Sequence, residues 1–320
     1  MDFSLPTTVI VNPASGRGKG ESAWEMFSDA LKAKGVLPEI LFSSQEEGKG
    51  LADLARRVTE KEGPMNLLVA GGDGSMQEVL SGIRDFSAVC LGALPTGSSN
   101  DFLRALGQRN PATCVKAILE AKGVHLRDGL WVTAFTESGD KKEHLALVSS
   151  GFGFDAATCA MANESPLKGV LNRVGLGDMI YVLVAVGIIL RSPLYPMEVS
   201  VFTGEGELKE KKTFQKTLFG AVMNNTYEGG GYAMYPGAVG DDGIINGCVA
   251  ADVSRLGYLS IIPKAAKAAH GNCKGVHLSE GTAFELCSQK PLYYHVDGEV
   301  PGKALRLQVK VLPGLFRFWN

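Results

Sequence analysis

Asn66-Leu-Leu-Val-Ala70, followed at once by Gly71-Gly-Asp-Gly74 and then by Ser75-Met-Gln-Glu-Val-Leu80, decides the reading of this chain. A short apolar run with no polar alternation predicts a strand buried on both faces, as in a parallel sheet. Three glycines around one acid predict a sharp turn, and Ser75 to about Ile83 predicts a helix. The same strand–turn–helix order recurs on either side. Thr8 to Asn12 reads as a strand bounded by Pro13-Ala-Ser-Gly16, and Ser22 to Lys34 as a helix ended by Gly35. Glu39 to Phe42 and Val89 to Leu94 read as strands, and Leu51 to Lys61 as a helix. This alternation predicts a doubly wound α/β sheet.

Beyond about Asp128 the pattern changes. Leu130 to Thr136, His144 to Ser149, Met197 to Thr203, Lys216 to Met223 and Gly243 to Ala250 read as strands. So do Gly281 to Leu286, Leu292 to Val296 and Leu305 to Leu312. Helical material is expected between Asp155 and Arg191 and near Leu256 to Ala269. The second half is therefore read as a mostly antiparallel β-sandwich or flattened barrel with inserted helices. Two domains are expected, 1–128 and 129–320, with a linker near Gly123 to Asp128.

The chain has 320 residues, 45% apolar and 21% charged, which supports a sizeable core and argues against general disorder. Thirty-two basic residues against 34 acidic ones give a net charge of −2 and disfavour a nucleic-acid binder. The six cysteines, Cys90, Cys114, Cys159, Cys248, Cys273 and Cys287, form no C-x-x-C pair. Neither a disulfide framework nor a zinc cluster is expected, and reduced thiols in a cytoplasmic protein are. The N-terminus lacks a signal-peptide pattern. The longest apolar run, Met179 to Leu190, is shorter than the roughly 20 residues a membrane span needs.

Three loops at the ends of predicted parallel strands carry the chemistry. Asn12-Pro-Ala-Ser-Gly-Arg17 offers glycine-exposed N–H groups and positive charge, although it is not a Walker A loop. Gly71-Gly-Asp-Gly-Ser75 surrounds one carboxylate with bare amides before a helix, a combination suited to phosphate oxygens and Mg²⁺. The plainer alternative makes Asp73 an N-cap. Leu94-Pro-Thr-Gly-Ser-Ser-Asn-Asp-Phe-Leu-Arg104 adds hydroxyls, an amide, an acid and an arginine at the same sheet edge. His295-Val-Asp-Gly-Glu299, between two strands, reads locally as a hairpin turn.

Together these segments resemble the soluble diacylglycerol-kinase-like lipid kinases, the catalytic domain shared by bacterial diacylglycerol kinases, YegS-type lipid kinases and sphingosine kinases. The resemblance spans nearly the whole chain in order: Asn12-Pro13…Gly16, Gly71-Gly72-Asp73-Gly74-Ser75, Pro95-Thr-Gly97-Ser98…Arg104, Asp128, Gly237-Ala238…Asp241-Asp242-Gly243 and Asp297-Gly298-Glu299. Ser75 and Ser98 stand where the family usually has Thr, and both keep the hydroxyl.

The resemblance implies an N-terminal nucleotide-binding α/β domain, a C-terminal β-rich lipid-substrate domain and an active site in the cleft between them. It implies ATP contacts at Asn12, Pro13, Ala14, Ser15 and Gly16, at Ser43, at Gly71, Gly72, Gly74, Ser75, Met76, Gln77 and Glu78, and at Ser98. Arg17 and Arg104 are phosphate partners on this reading. Glu299 is the implied catalytic base, and Asp73, with Asp101 and Asp128, the implied holder of Mg²⁺ or its water shell. A structural Mg²⁺ is expected at Val239, Asp242 and Ile244. Phe152, Phe154, Tyr181 and Met179 to Leu190 are candidates for an apolar lipid groove, the alternative for each being core.

The expected activity is transfer of the γ-phosphate of ATP to a free lipid hydroxyl, that of diacylglycerol, phosphatidylglycerol, ceramide or sphingosine. Transient contact with the inner face of a membrane is expected, a homodimer is possible, and no nucleic acid is involved. NAD kinase shares the glycine-rich acidic loop, but the Asn-Pro…Gly start and the Asp-Gly-Glu segment speak against it. Gly151-Phe-Gly-Phe-Asp-Ala156 fits a dinucleotide fingerprint but falls in the β-rich half, outside a βαβ unit. A non-catalytic lipid-binding protein on the same scaffold is a third reading, opposed by retention of Asp73 and Glu299. On these grounds Asp73→Asn should keep the fold while losing transfer, and Gly72→Val should block nucleotide binding alone.

Overall fold

The computed structural model describes residues 1–320 except 3, 18, 62, 109, 155, 159–185, 188, 192–193, 205 and 320. The chain divides into two compact units, Met1–Gly129 with Leu312–Asn320, and Leu130–Val311.

The first unit is α/β. Its strands are β1 (Thr7–Val11), β2 (Glu39–Phe42), β3 (Met65–Gly71) and β4 (Val89–Pro95). They pair in parallel in the order β4-β3-β1-β2. Every residue of β1, β3 and β4 is buried, the signature of strands covered on both faces, whereas β2 is an exposed edge. The helices are α1 (Lys19–Lys32), α2 (Leu51–Thr59), α3 (Asp73–Gly82), α4 (Asp101–Ala105) and α5 (Pro111–Glu120). In α2 the buried positions Leu51, Leu54, Ala55 and Val58 follow the helical repeat. Helices α2 and α3 touch through backbone: a Cβ on Gly82 would lie 2.1 Å from the Ala52 carbonyl oxygen. Helix α5 was not expected, although Asn110 and Pro111 carry the signal. Asn110 caps α5 in a reciprocal pair with Thr113, and Pro111 takes the first turn.

The second unit is mostly antiparallel. Its strands are β5 (His125–Phe135), β6 (Lys141–Ala146), β7 (Ser149–Gly153), β8 (Tyr195–Thr203), β9 (Glu207–Met223), β10 (Tyr227–Glu228), β11 (Tyr232–Ala233), β12 (Ile245–Ala251), β13 (Val276–Gly281), β14 (Ala283–Val296) and β15 (Glu299–Phe318), and between β12 and β13 lies a helix, α6 (Arg255–Ala265). The long strands β9 and β14 each pair with β8 along one half and with β7 along the other. Alternating residues such as Leu130, Val132 and Ala134, or Met197, Val199 and Val201, fill one core. Gly281 to Leu286 and Leu292 to Val296, expected as two strands, are one strand with a register shift between Cys287 and Leu292. Gly151 lies in antiparallel β7, where a Cβ would meet the Gly220 carbonyl oxygen at 2.7 Å, so its glycine serves strand packing rather than a dinucleotide.

Of the expected linker, Gly123 and Val124 precede β5, and His125 to Asp128 lie within it. The chain leaves the first unit inside β5 and returns to it inside β15, which straddles Val311 and Leu312. The returning end pairs in parallel with β4 through Arg317 and Phe318. Phe316 meets Phe86, and Phe318 meets Phe102, edge to face at 5.1 and 5.0 Å. Fully buried Asn66 accepts from the Trp319 indole N–H at 2.9 Å and donates to the Asp2 carbonyl oxygen at 2.8 Å. Phe152, offered as a groove residue, lies in the core of the second unit. Tyr181 and the rest of 179–185, with 188, lie outside the described residues. Among the described residues no helix is long and apolar enough to cross a membrane, and the described cysteines are all free.

Asn66→Ala removes the acceptor of a buried indole N–H. It should cost about 1–3 kcal/mol, measured as a shift in the urea unfolding midpoint. An unchanged midpoint would show that the returning strand is held by its aromatic contacts alone.

Candidate active site

Strands β1, β3 and β4 are parallel, so the three segments that follow them leave the same edge of the sheet. The first begins with Asn12, whose Nδ2 donates to Ser75 Oγ at 2.9 Å and whose Oδ1 accepts from the Ala14 N–H at 3.1 Å. Ser15 donates from Oγ to the Asn12 carbonyl oxygen and lies 2.5 Å from Thr96 Oγ1. Gly16 turns the chain in the left-handed region, at φ 58°. The second and third segments touch backbone to backbone. A Cβ on Gly72 would lie 2.9 Å from Gly97 Cα, and one on Gly97 would lie 2.5 Å from Gly72 Cα. The Thr96 N–H donates to the Gly71 carbonyl oxygen at 3.1 Å. Asn100, at φ 49°, closes its own loop by bonding both the N–H and the carbonyl oxygen of Gly97.

Asp73 completes the junction. Its Oδ2 accepts from the Asp101 N–H at 2.8 Å and its Oδ1 from the Phe102 N–H at 3.2 Å. The carboxylate thus caps the first turn of α4, a different helix from the one it begins. Asp101 is buried and pairs with Arg104, Nε to Oδ1 at 3.6 Å.

In the second unit, β14 and β15 are joined by Asp297-Gly298, at φ 50° and 84°, with Val296 opposite Glu299. Two successive positive φ values make the tight hairpin turn that Asp-Gly favours. The Asp297 carboxylate accepts from the N–H groups of Leu147, Val148 and Ser149 at 2.8, 2.7 and 2.9 Å. Burial pushes this carboxyl up from its ordinary value, while the three N–H donors pull in the opposite direction. Glu299, the next residue but one, is exposed. Within β14, two residues before Asp297, buried His295 places Nε2 3.2 Å from Glu228 Oε1.

The comparisons with known proteins bear on both units. The profile of the diacylglycerol kinase catalytic domain matches residues 6–127. That of the YegS C-terminal NAD kinase beta sandwich-like domain matches residues 146–319, more than half of the chain. The chain belongs to the diacylglycerol-kinase-like lipid kinase family. It is similar to YtlR of Bacillus subtilis, which its name describes as a candidate lipid kinase, at 26% identity over 92% of this chain and 93% of that one. It is 23% identical to a diacylglycerol kinase of Staphylococcus saprophyticus over 96% of this chain and 90% of the relative. A Bacillus anthracis crystal structure, of a candidate diacylglycerol kinase, shares the fold with a TM-score of 0.70 at 20% identity, covering 98% of this chain and 97% of that one.

Within this lipid kinase fold the expected site residues separate. Asn12, Ser15, Gly71, Gly72, Asp73 and Ser75 are brought together as described, with Pro13, Ala14 and Gly16 in the first segment and Gly74 in the first turn of α3. Ser43 follows β2 and donates its N–H to the Val11 carbonyl oxygen, while Ser98 is exposed on the third segment. Arg104 bonds the Ser99 carbonyl oxygen at 3.4 Å. The side chain of Arg17 lies outside the described part of the structure. Two of the expected residues have structural roles as well. The Met76 side chain is buried, and its N–H is used by the Gly72 carbonyl oxygen, so it packs the core face of α3. Glu78 accepts from the Leu51 N–H at 3.1 Å and so caps α2, which has no side-chain cap of its own. Gln77 lies between them, half-buried. Asp128 is buried and accepts from the Gly314 N–H at 2.7 Å, fixing the returning strand. Thr96, Gly97 and Asn100, quoted within the third segment but given no site role from sequence, belong to the junction. Their signal was the glycine-and-hydroxyl run after Pro95.

For Mg²⁺, the first unit offers hard carboxylate oxygens, but each Asp73 oxygen already accepts one N–H. Among the described residues no three His, Cys, Asp or Glu side chains converge on one point. The donor set therefore fits a cation held mainly by phosphates and water with one carboxylate, the usual Mg²⁺ arrangement, and not a protein cage. At the other expected metal position, Asp242 Oδ1 accepts from the Ile244 N–H at 2.9 Å, and Val239 and Ile244 are exposed. That loop is held by protein bonds, such as Thr226 Oγ1 to the Ala238 carbonyl oxygen at 2.9 Å.

Gly72→Val forces the second and third segments apart, because the nearest obstacle is the Gly97 backbone. The unliganded variant should lose about 1–3 kcal/mol of stability, the usual cost of overpacking, measured by denaturant unfolding without nucleotide. Wild-type stability with only nucleotide affinity lost would restore the simpler expectation that Gly72 serves phosphate alone.

Proposed function

We propose that this chain is an ATP- and Mg²⁺-dependent kinase acting on the free hydroxyl of a lipid, with diacylglycerol the first candidate acceptor. Phosphatidylglycerol, ceramide and sphingosine offer the same chemistry. The observation that carries the reading is the junction of three polar segments at one parallel sheet edge, tied together by Asp73, in a member of a lipid kinase family. Ligands of open α/β sheets bind at that edge. A polyphosphate is suited to Gly71, Gly72, Gly74 and Ser75, and to Asn12 through Gly16, because N–H groups at helix starts favour anions. Mg²⁺, when bound beside Asp73, supplies positive charge for the phosphoryl oxygens.

In the proposed step the lipid hydroxyl oxygen attacks the γ-phosphorus. The bond from that phosphorus to the β,γ-bridging oxygen breaks, ADP leaves, and the hydroxyl proton passes to the Glu299 carboxylate. Glu299 is exposed, while Asp297 is locked to three N–H groups. Of the two hairpin acids, Glu299 is therefore the one able to accept a proton from a ligand. A structural cation at Val239, Asp242 and Ile244 is independent of this reading.

Glu299→Gln keeps the shape and hydrogen bonding of the side chain but removes the basic oxygen. It should leave ATP affinity intact and lower kcat by about 10²–10⁴-fold, the usual contribution of a positioned base. Both are measured on one purified protein, by calorimetry and by radiolabelled transfer from ATP to a lipid panel with products identified by mass spectrometry. A fall below about threefold, outside that range, would remove Glu299 from the role.

A further inference from the structure

Residues 253–279 form the longest stretch of this chain without an acidic residue, in a protein whose net charge is −2. They contain Arg255, Lys264, Lys267 and Lys274. The stretch covers α6 and the connection to β13. One face of α6 packs inward through Tyr258, Ile261 and Ala265. The opposite face carries Leu256, Ser260, Pro263 and Lys264, four positions on one side of a 3.6-residue repeat. Leu256 is 74% exposed, a large apolar side chain standing in solvent. Lys264, Lys267 and Lys274 are exposed, and among the described residues none of the three enters an ion pair. Arg255 is otherwise engaged, bonding the Ile189 carbonyl oxygen.

The fold brings these groups together. The Ala251 N–H donates to the Gly275 carbonyl oxygen at 2.8 Å, and a Cβ on Gly275 would lie 2.4 Å from Val253 Cγ1. Gly275, the neighbour of Lys274, is thereby held against Val253, two residues before α6, while Lys264 lies in the last turn of α6 and Lys267 follows it. The helix is about 16 Å long, so charge lies at both ends of a surface with an apolar side chain on it. Favourable interaction with the helix dipole accounts for a lysine in the last turn. It accounts for neither Lys274 nor the exposed Leu256.

We propose that this face of α6, with Lys264, Lys267, Lys274 and Leu256, is the surface by which the protein docks on an anionic lipid bilayer. The proposal rests on the lipid-kinase reading above for its biological sense. The occupant follows from charge: three lysines that enter no ion pair among the described residues, on a stretch without an acid whose flanking Asp252 is held by the N–H groups of Gln215 and Lys216, match the negative potential of anionic headgroups. A single exposed leucine suits shallow, reversible insertion at the headgroup boundary.

The test is flotation of the full chain with vesicles of phosphatidylcholine alone, or of phosphatidylcholine with phosphatidylserine, which adds charge without a free hydroxyl. Wild-type protein should float with the charged vesicles only, and added salt should release it. The triple variant Lys264→Ala, Lys267→Ala, Lys274→Ala should bind roughly a hundredfold more weakly, at about fivefold per lysine. Lys141→Ala with Lys142→Ala, elsewhere on the second unit, should bind like wild type. All variants are checked for an unchanged melting temperature, and Leu256→Ser alone provides a second reading if the triple variant melts early. Wild-type protein that ignores charged vesicles, or a folded triple variant that still binds them, overturns the proposal. So does light scattering that shows these substitutions dissociating a dimer, because the face would then belong to a second copy. Lipid phosphorylation is assayed separately in detergent micelles. Activity there without vesicle binding would sink the docking surface and leave the kinase reading standing. Lysine-dependent vesicle binding without activity would do the reverse.

Discussion

The contact between Gly72 and Gly97 is the constraint on which the candidate site depends. Two backbones meet at a distance that no Cβ could occupy. Only because they do can the Thr96 N–H reach the Gly71 carbonyl oxygen and the Asp73 carboxylate reach the first two N–H groups of α4. The same closeness carries Thr96 Oγ1 to Ser15 and, through Ser75, links the third and second segments to Asn12. Glycine here confers proximity more than conformational freedom, since Gly72 itself has an extended backbone that any residue adopts. A wedge between the two segments would therefore disturb the whole edge at once.

Carboxylates do most of the remaining fixing, wherever backbone regularity breaks. Asp73 holds the start of α4, Asp297 holds 147–149, Asp128 holds Gly314 at its left-handed turn, and Asp252 accepts from the N–H groups of Gln215 and Lys216. A carboxylate suits this work because its two oxygens accept several N–H bonds at once, and bonds to a charged acceptor are the stronger kind. The acids that a sequence offers as metal ligands are thus also structural members. Replacing Asp73 by Asn removes one of two acceptor oxygens as well as a charge, leaving one of the two N–H groups at the start of α4 without its partner.

Much of this was legible in the sequence because its causes are local. Buried parallel strands announce themselves as short apolar runs, and β2 and β4 begin where the runs begin. The two-unit architecture followed from the change in pattern near Asp128. What escaped notice depended on distant partners. Nothing in residues 312–320 says that Trp319 will donate to Asn66 or that Phe318 will stack on Phe102. Met76 stands among glycines and polar groups, yet the helical repeat of α3 turns its side chain inward. Phe152, a groove candidate with core as its alternative, stands between Gly151 and Gly153. Those glycines allow β7 to lie tightly between β9 and β14, which buries it.

The acids also bear on why a divalent cation belongs to the proposed chemistry. Asp73 and Asp101 place negative charge at the sheet edge where a polyphosphate would bind. Some of that charge is already offset: Asp73 faces N–H groups at the start of α4, and Asp101 faces Arg104. Bringing a triphosphate of several negative charges beside them still creates like-charge repulsion in a partly buried setting, where screening is weak. Glycine N–H dipoles reduce the repulsion but carry only partial charge. Arg104 is partly committed to Asp101 and to the Ser99 carbonyl oxygen. On the proposed reading, a hard cation between Asp73 and the phosphates turns the acid from an obstacle into a ligand. On that proposed reading, the electrostatics of the edge call for Mg²⁺ in nucleotide binding as well as in transfer.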